Sequence, residues 1–406
     1  MPAPHRTQRT DKLQFFATAA QGLEPVVAEE LRGLGAQQVK EARGGATFEG
    51  ALAVAYQACL WLRAANRVLY PLTRFKCSDA QSLYAGVQRM PWENDLSPDG
   101  TLAVDFTGSN AAITNTQYGA QRVKDAVVDR LREKFGRRPS VERQHPDLRI
   151  HCHLHRDIAS VSLDLSGDSL HLRGYRRAGG TAPLKETLAA GLLLKCGWQK
   201  IAAAGGSFAD PMCGSGTLVI EAALMAGDAA PGLLREYWGF NGWLKHDRRL
   251  WEKLITEARR RQAAGRGRMP VILGYDRDAR SILGAQENAR AAGVAHGLRF
   301  EHRDLTHARL PAGLQPGLMV TNPPYGERMG VMEELGPLYA LLGDWLRQQC
   351  AGWQAGVIVA DAALGKQLGI RARKMNAFHN GPLECRLLQF DIKPEWFMRS
   401  SAAAET

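Results

Sequence analysis

Asn322 lies in the run Thr321-Asn322-Pro323-Pro324-Tyr325-Gly326, whose residue types suit one kind of chemistry. A planar exocyclic amine donates its lone pair into its ring and is therefore a poor nucleophile. An Asn side-chain oxygen and a neighbouring backbone carbonyl that accept its two N–H bonds would fix it towards a methyl group and ease the build-up of charge. Pro323 and Pro324 stiffen the backbone and remove competing donors. Tyr325 supplies a ring on which a flipped or unpaired base can stack. Out of context, Asn-Pro-Pro is also a plausible turn.

A second run, Asp210-Pro211-Met212-Cys213-Gly214-Ser215-Gly216-Thr217, falls where a strand should hand over to a helix. Glycines there let the backbone pass close to a ligand and offer its N–H groups. It is neither the GxGxxG of a dinucleotide site nor a phosphate loop, because no Lys follows the last glycine. Asp276 ends the next apolar run, VILGYD, where a carboxylate can accept from both ribose hydroxyls of an adenosine. The usual gap to such a carboxylate is about 20 residues; here a Trp-rich and Arg-rich insertion lengthens it. Asp276 could instead cap the helix DARSILGAQENARAAG, a task for which Asp278 is equally suited. Asp304 closes LRFEHRD, placed to accept from an adenine amino group, or else an ordinary loop carboxylate. Cys213 reads as a small residue filling space beside a cofactor, since direct methyl transfer needs no covalent enzyme intermediate.

The elements that must position these residues follow from periodicity. After Arg177 the runs SFAD, VILGYD, LRFEHRD, GLMVTN and AGVIVAD alternate with helical stretches from Thr217, from Asp278 and over Leu338–Gln349. A pair of strands near Arg373 and Glu384 ends the series. Such alternation predicts a doubly wound α/β sheet with ligands at the carboxyl ends of its strands. Residues 12–74 read as a small α+β unit: strand LQFFATAA, a helix over Gly22–Leu34, strands QQVKEAR and ATFEG, and a helical stretch over Ala51–Val68. Residues 75–167 read as a second unit: strand LAVDFTG, a helix over Gln117–Phe135, and the hairpin LRIHCHLHRD/IASVSLDLSG, closed by LHLRGYR.

Composition bounds the function. The 406 residues carry 52 Lys+Arg against 41 Asp+Glu, a formal charge of +11, so a polyanion is a natural partner. The arginine-rich ARRRQAAGRGR is either a phosphate contact or a solvated helix end. Seven scattered cysteines without a CxxC pair argue against a disulfide framework or a cysteine zinc site. The start, MPAPHRTQRTDK, has no apolar run, and no stretch approaches the roughly twenty apolar residues of a membrane helix, so a cytoplasmic protein is expected. His151, His153 and His155 alternate on one strand, but without an evident supporting carboxylate no metal is expected.

DPMCGSGTLVIEAA followed by TNPPYGER resembles the class I S-adenosylmethionine-dependent methyltransferases that modify exocyclic amines. More narrowly, LDLSGDSLHLRGYR, APLKETLAA, NGPLECR and GSNAAITNTQYGAQRVKDAVVDRL resemble the bacterial 23S ribosomal RNA guanine-N2 methyltransferases, over nearly the whole chain from Phe15. The resemblance implies an α/β fold: a ferredoxin-like domain (12–74), a THUMP RNA-binding domain (75–167) and a Rossmann-like methyltransferase domain (168–398). In the last, a mostly parallel sheet carries a C-terminal antiparallel strand. It implies S-adenosyl-L-methionine held by Asp210, Pro211, Cys213, Gly214, Gly216, Thr217, Asp276, Asp304 and Asn322. Asn322, Pro323, Pro324 and Tyr325 would be catalytic, and 23S rRNA or a large-subunit precursor the substrate. Some members carry a second methyltransferase after the first; with the chain ending at Thr406, that activity is expected to be absent or on another polypeptide. Transfer RNA as substrate, adenine N6 or a protein glutamine as acceptor, and an RNA-binding assembly factor with a vestigial enzyme half are the rival readings.

Overall fold

In the segment LQFFATA every second side chain turns inward: Phe15 and Ala17 are fully buried between more exposed neighbours, the period of a half-buried strand. A computed structural model describes residues 12–176, 184–324 and 332–393. It resolves into two units. One comprises the residues up to Thr18, Ala28–Leu170 and Arg235–Ile255; the other comprises Ala19–Val27, His171–Leu234 and the residues from Thr256.

Eight strands of the first unit form one sheet: β1 (Leu13–Ala19), β2 (Gln37–Ala42), β3 (Gly45–Gly50), β4 (Ala65–Lys76), β5 (Thr101–Ser109), β6 (Ser140–Val141), β7 (Leu148–His155) and β8 (Ile158–Asp164). Their order is β2-β3-β1-β4-β8-β7-β5-β6. α1 (Glu24–Gly33) and α2 (Leu52–Trp61) lie between the early strands in sequence. The helix expected over Ala51–Val68 therefore stops early. Ala65, Val68 and Leu69 are buried at a spacing that imitates a helix turn, yet they belong to β4. That strand is interior to the sheet, so its burial is not the simple alternation of a strand with one solvated face. β4 pairs antiparallel with β8 across a register shift between Pro71 and Thr73, where a residue without an N–H is tolerated.

α3 (Ala80–Gln88) opens on a capping box between Asp79 and Ser82. α4 (Thr116–Phe135) opens on Asn115, which accepts from the Tyr118 N–H, and closes on Gly136 at φ +69°. On β7, Leu148, Ile150, Cys152 and Leu154 are buried while His153 and His155 face outward. Burial and the charge of Arg67 push His151 down to about 4, against the opposing pull of Asp105. The Thr107 hydroxyl meets His153 Nδ1 at 3.0 Å. Among the described residues no cluster of three or more His, Cys, Asp or Glu could hold a metal.

The insertion between glycine loop and Asp276 divides. Its Trp-rich part, Arg235–Ile255, belongs to the first unit because its aromatic residues find partners there. Trp243 Nε1 and Lys245 Nζ donate to Asp95 Oδ1 at 2.7 and 2.8 Å, and the Tyr237 hydroxyl donates to the Pro146 carbonyl at 2.7 Å. Tyr56 packs on Phe240, His246 and Trp251. The Arg-rich part continues in α8 (Arg248–Gly265).

The second unit contains α5 (Glu186–Lys195), α6 (Trp198–Ala203) and α7 (Thr217–Ala226). Its sheet comprises β9 (Phe208–Asp210), β10 (Ile272–Asp276), β11 (Leu298–His302), β12 (Leu318–Thr321), β13 (Gln354–Val359), β14 (Lys374–Asn380) and β15 (Leu383–Asp391). The order is β11-β10-β9-β12-β13-β15-β14. Strands β11 to β13 run parallel, and β15 is antiparallel to both its neighbours. α9 (Ala279–Ala291), α10 (Met332–Gln349) and α11 (Ala362–Gln367) complete the alternation. The chain runs outward from β9 to β11, then returns to place β12 on the other side of β9. The order thus reverses between β9 and β12, the point where such sheets open a crevice at their carboxyl ends.

LHLRGYR forms no strand, contrary to the sequence expectation. Arg173 and the Tyr175 hydroxyl instead meet Glu221 Oε1 at 3.5 and 3.1 Å, with all three side chains buried. A carboxylate inside the apolar helix TLVIEAALMA requires such partners. No helix among the described residues is long and apolar enough to cross a membrane.

Trp198 anchors this unit. It is fully buried, stands edge-on to Phe208 at 5.2 Å and donates from Nε1 to the Ala222 carbonyl at 2.8 Å. Trp198→Ala should cost about 3–5 kcal/mol in equilibrium urea unfolding; a loss below 1 kcal/mol would show that the β9 environment does not depend on this ring.

Candidate functional site

β9, β10 and β12 end side by side. Gly274 pairs with Asp210, so β10 projects two residues further, to Asp276. β12 pairs with β9 on its other side and ends at Thr321. Buried on both faces, these strands are short apolar runs, and their first polar side chains arrive together at the crevice.

The loop after β9 is held tightly. The Cys213 N–H donates to the Tyr275 carbonyl at 2.8 Å, and the Gly214 N–H donates to Asp276 Oδ2 at 2.8 Å. Gly214 and Gly216 adopt φ of +52° and +83°, a region that side chains disfavour. A Cβ on Gly216 would lie 3.0 Å from the Ala285 Cβ, whereas one on Gly214 would meet nothing within 4 Å. A side chain at 216 would thus press on Ala285, whereas Gly214 borders open space. Cys213 is buried, its thiol pushed well up by burial, and its sulfur would lie 3.1 Å from a Cβ on Gly274, as expected of a space-filling residue.

Asp276 and Asp278 divide two tasks. Asp278 caps α9, accepting from the N–H groups of Arg280 and Ser281 at 3.1 and 3.2 Å. Asp276 is free of that duty and accepts from Gly214 on one oxygen and from the Asp278 N–H, at 2.9 Å, on the other. Each carboxylate oxygen keeps a further lone pair for an outside donor. The Arg303 N–H donates to the Asp276 carbonyl at 2.9 Å, which brings Asp304 beside the end of β10, two residues past the end of β11. Asp304 is exposed; the N–H and hydroxyl of Thr306 bind its Oδ1 and hold it below the usual carboxylate range.

Asp210 is fully buried. Burial pushes its carboxyl up to about 7, the charge of Asp276 adding to the shift while the Thr321 hydroxyl and the Met212 N–H oppose it. Past β12, Asn322 Oδ1 is buried without a hydrogen-bond partner among the described residues. Pro323 is buried, and the Pro324 carbonyl faces the Tyr339 hydroxyl at 3.5 Å. Tyr325 lies outside the described residues.

Two residues near the loop carried no signal in the sequence reading. Asn288 donates from Nδ2 to the Ser215 carbonyl at 3.1 Å, tying α9 to the loop. Arg176 donates to the hydroxyls of Ser215 (3.4 Å) and Thr217 (3.1 Å), to the Leu184 carbonyl (3.2 Å) and to Glu186 (2.8 Å).

Comparison with known proteins adds three matches along the chain: an RlmL ferredoxin-like domain over residues 14–69, a THUMP domain over 77–164 and an RMKL-like methyltransferase domain over 173–389. A ribosomal RNA large subunit methyltransferase K/L from Syntrophotalea carbinolica is 53% identical over 96% of this chain and 55% of its own length. The chain spans about half the length of the curated relatives it matches. Among solved structures, SMU.472, assigned as a methyltransferase and complexed with SAH, superposes with a TM-score of 0.82. It is 29% identical, over 94% of this chain and 98% of its own. A Listeria monocytogenes protein predicted to be an N6-adenine-specific DNA methylase gives 0.80 and 31%, over 94% and 96%.

The Asp210 carboxyl gives a pH test. Below about 4 it is protonated in folded and unfolded chains alike, so its burial as a neutral group is free of an ionisation penalty. As the pH rises to about 7 the unfolded chain releases the proton while the folded chain retains it, and the stability associated with this group is lost. Wild-type protein should therefore lose more stability between about pH 4 and pH 7 than Asp210→Asn in urea titrations; parallel pH profiles would contradict the assignment.

Proposed function

This chain belongs to the RMKL-like methyltransferase family, and we propose that it transfers a methyl group from S-adenosyl-L-methionine to the exocyclic N2 of a guanine in 23S ribosomal RNA or its large-subunit precursor. The observation that carries the reading is the buried Oδ1 of Asn322 past the end of β12, which has no partner among the described residues. An unmade hydrogen bond inside a protein costs about 1–3 kcal/mol, and an incoming amine N–H would recover it.

The residues around the loop fit the cofactor. Asp276 presents outward lone pairs for ribose hydroxyls, Asp304 stands beside it for an adenine amino group, and Gly214 leaves its side open to close approach. Asp210, Pro211, Cys213, Gly216 and Thr217 form the loop that shapes this wall. Bound S-adenosylmethionine supplies an electrophilic methyl group on its sulfonium. The chain's own part is positional: Asn322 Oδ1 and the Pro323 carbonyl accept the two N–H bonds of the amine, Pro323 and Pro324 keep that backbone rigid, and Tyr325 stacks on the base. The amine proton leaves to solvent, so no dedicated strong base is needed.

The RNA substrate is supported by the likeness to the Syntrophotalea ribosomal RNA methyltransferase, by the THUMP match and by the +11 charge. The cytoplasm, where ribosomal RNA is assembled, is the corresponding location. The Listeria neighbour favours adenine N6 as a second reading, since both amines present two N–H bonds to the same acceptors. Asn322→Ala should lower turnover by about two to three orders of magnitude while cofactor affinity stays nearly unchanged. Near-normal turnover would remove Asn322 from the mechanism.

A further inference from the structure

Arg176 stands where a loop-binding cation is least expected. It meets the start of α7, an end whose free N–H groups repel positive charge, and Glu186, 3% exposed on α5, compensates it. The Arg176 side chain as a whole keeps 21% of its surface exposed.

The direction of its hydrogen bonds has a consequence. An arginine has donors and no acceptor, so the Ser215 and Thr217 hydroxyls accept from it. Each hydroxyl hydrogen is then available to point elsewhere, and a cation bound at the oxygen makes it a stronger donor. The donors of Arg176 are unequally used. Nε serves Glu186 and Nη2 serves both Leu184 and Thr217, while Nη1 has among the described residues one long contact, to Ser215, for its two hydrogens. Two hydroxyl donors and part of a guanidinium edge therefore gather at the loop whose Gly214 borders open space. That donor set is suited to a carboxylate.

We propose that Arg176, acting with the Ser215 and Thr217 hydroxyls that it polarises, receives the carboxylate at the amino-acid end of the cofactor. The proposal rests on reading the loop as an S-adenosylmethionine site. It makes Arg176 the residue that separates the intact cofactor from adenosine thioethers lacking the amino-acid tail.

The test compares two ligands by isothermal titration calorimetry on the full chain: S-adenosylhomocysteine, which carries the carboxylate, and 5′-methylthioadenosine, which does not. Arg176→Gln and Arg176→Lys should each weaken S-adenosylhomocysteine about ten- to a hundredfold, and Ser215→Ala should weaken it to a lesser degree. Methylthioadenosine affinity should be unchanged in all three. Lys retains charge without the fork that reaches Glu186 and both hydroxyls at once, so a Lys variant that binds as wild type does would overturn the role given to the guanidinium. Equal weakening of both ligands, or of neither, would overturn the proposal and leave Arg176 a loop brace. Wild-type protein that binds neither ligand would instead refute the cofactor reading beneath it. Urea unfolding of each variant identifies a loss of affinity that comes from misfolding. Should Arg176→Gln fail to fold, the Ser215→Ala comparison still decides between the outcomes.

Discussion

Two backbone N–H groups, from Gly214 and Asp278, converge on the carboxylate of Asp276, and the geometry of the site depends on that convergence. The first ties the loop after β9 to the end of β10; the second ties the same carboxylate to the start of α9. Because both donors are backbone, the carboxylate is oriented without a competing cation, and its outer lone pairs remain usable. Its charge reaches Asp210 as well, adding to the burial that keeps that carboxyl protonated at unusually high pH. Two further contacts brace the loop: Asn288 from α9, and Arg176 across the hydroxyls of Ser215 and Thr217. The glycine conformations at 214 and 216 are what let the chain turn between these supports.

Opposite this braced wall, across the strand-order reversal, the end of β12 is left incomplete. Asn322 Oδ1 is buried and unmet among the described residues, a cost that an ordinary turn would avoid by rotating the amide outward. The contrast is the physical core of the functional reading. One side of the crevice is braced by hydrogen bonds within the protein, while the other retains an acceptor that no described residue meets. Preorganisation of that kind supplies orientation without a structural rearrangement at the moment of reaction.

Much of this was legible in the sequence because the second half obeys local rules. Apolar runs of four to six residues ending in Asp210, Asp276 and Asn322 located the strands and the crevice together, since buried parallel strands leave few other places for polar side chains. Asp276 and Asp278 could not be told apart from sequence: both are suitable caps, and only the hydrogen bonds show that Asp278 takes the task. The first half was harder to read. Ala65, Val68 and Leu69 imitate a helix because β4 is paired on both edges inside an eight-stranded sheet. The fate of Trp238, Trp243 and Trp251 was also hidden, because aromatic residues in an insertion announce burial but not the partner. LHLRGYR, read as closing the hairpin, forms no strand, and its Arg173 and Tyr175 answer a carboxylate 46 to 48 positions away.

The group proposed to meet Asn322 is a guanine amine of large-subunit ribosomal RNA. The most direct measurement incubates the purified chain with labelled S-adenosylmethionine and ribosomal RNA from cells lacking this protein, then identifies the methylated nucleoside after digestion. Label is expected in N2-methylguanosine of the large-subunit RNA, and is expected to be absent with Asn322→Ala. Label in N6-methyladenosine, or in transfer RNA alone, would contradict it.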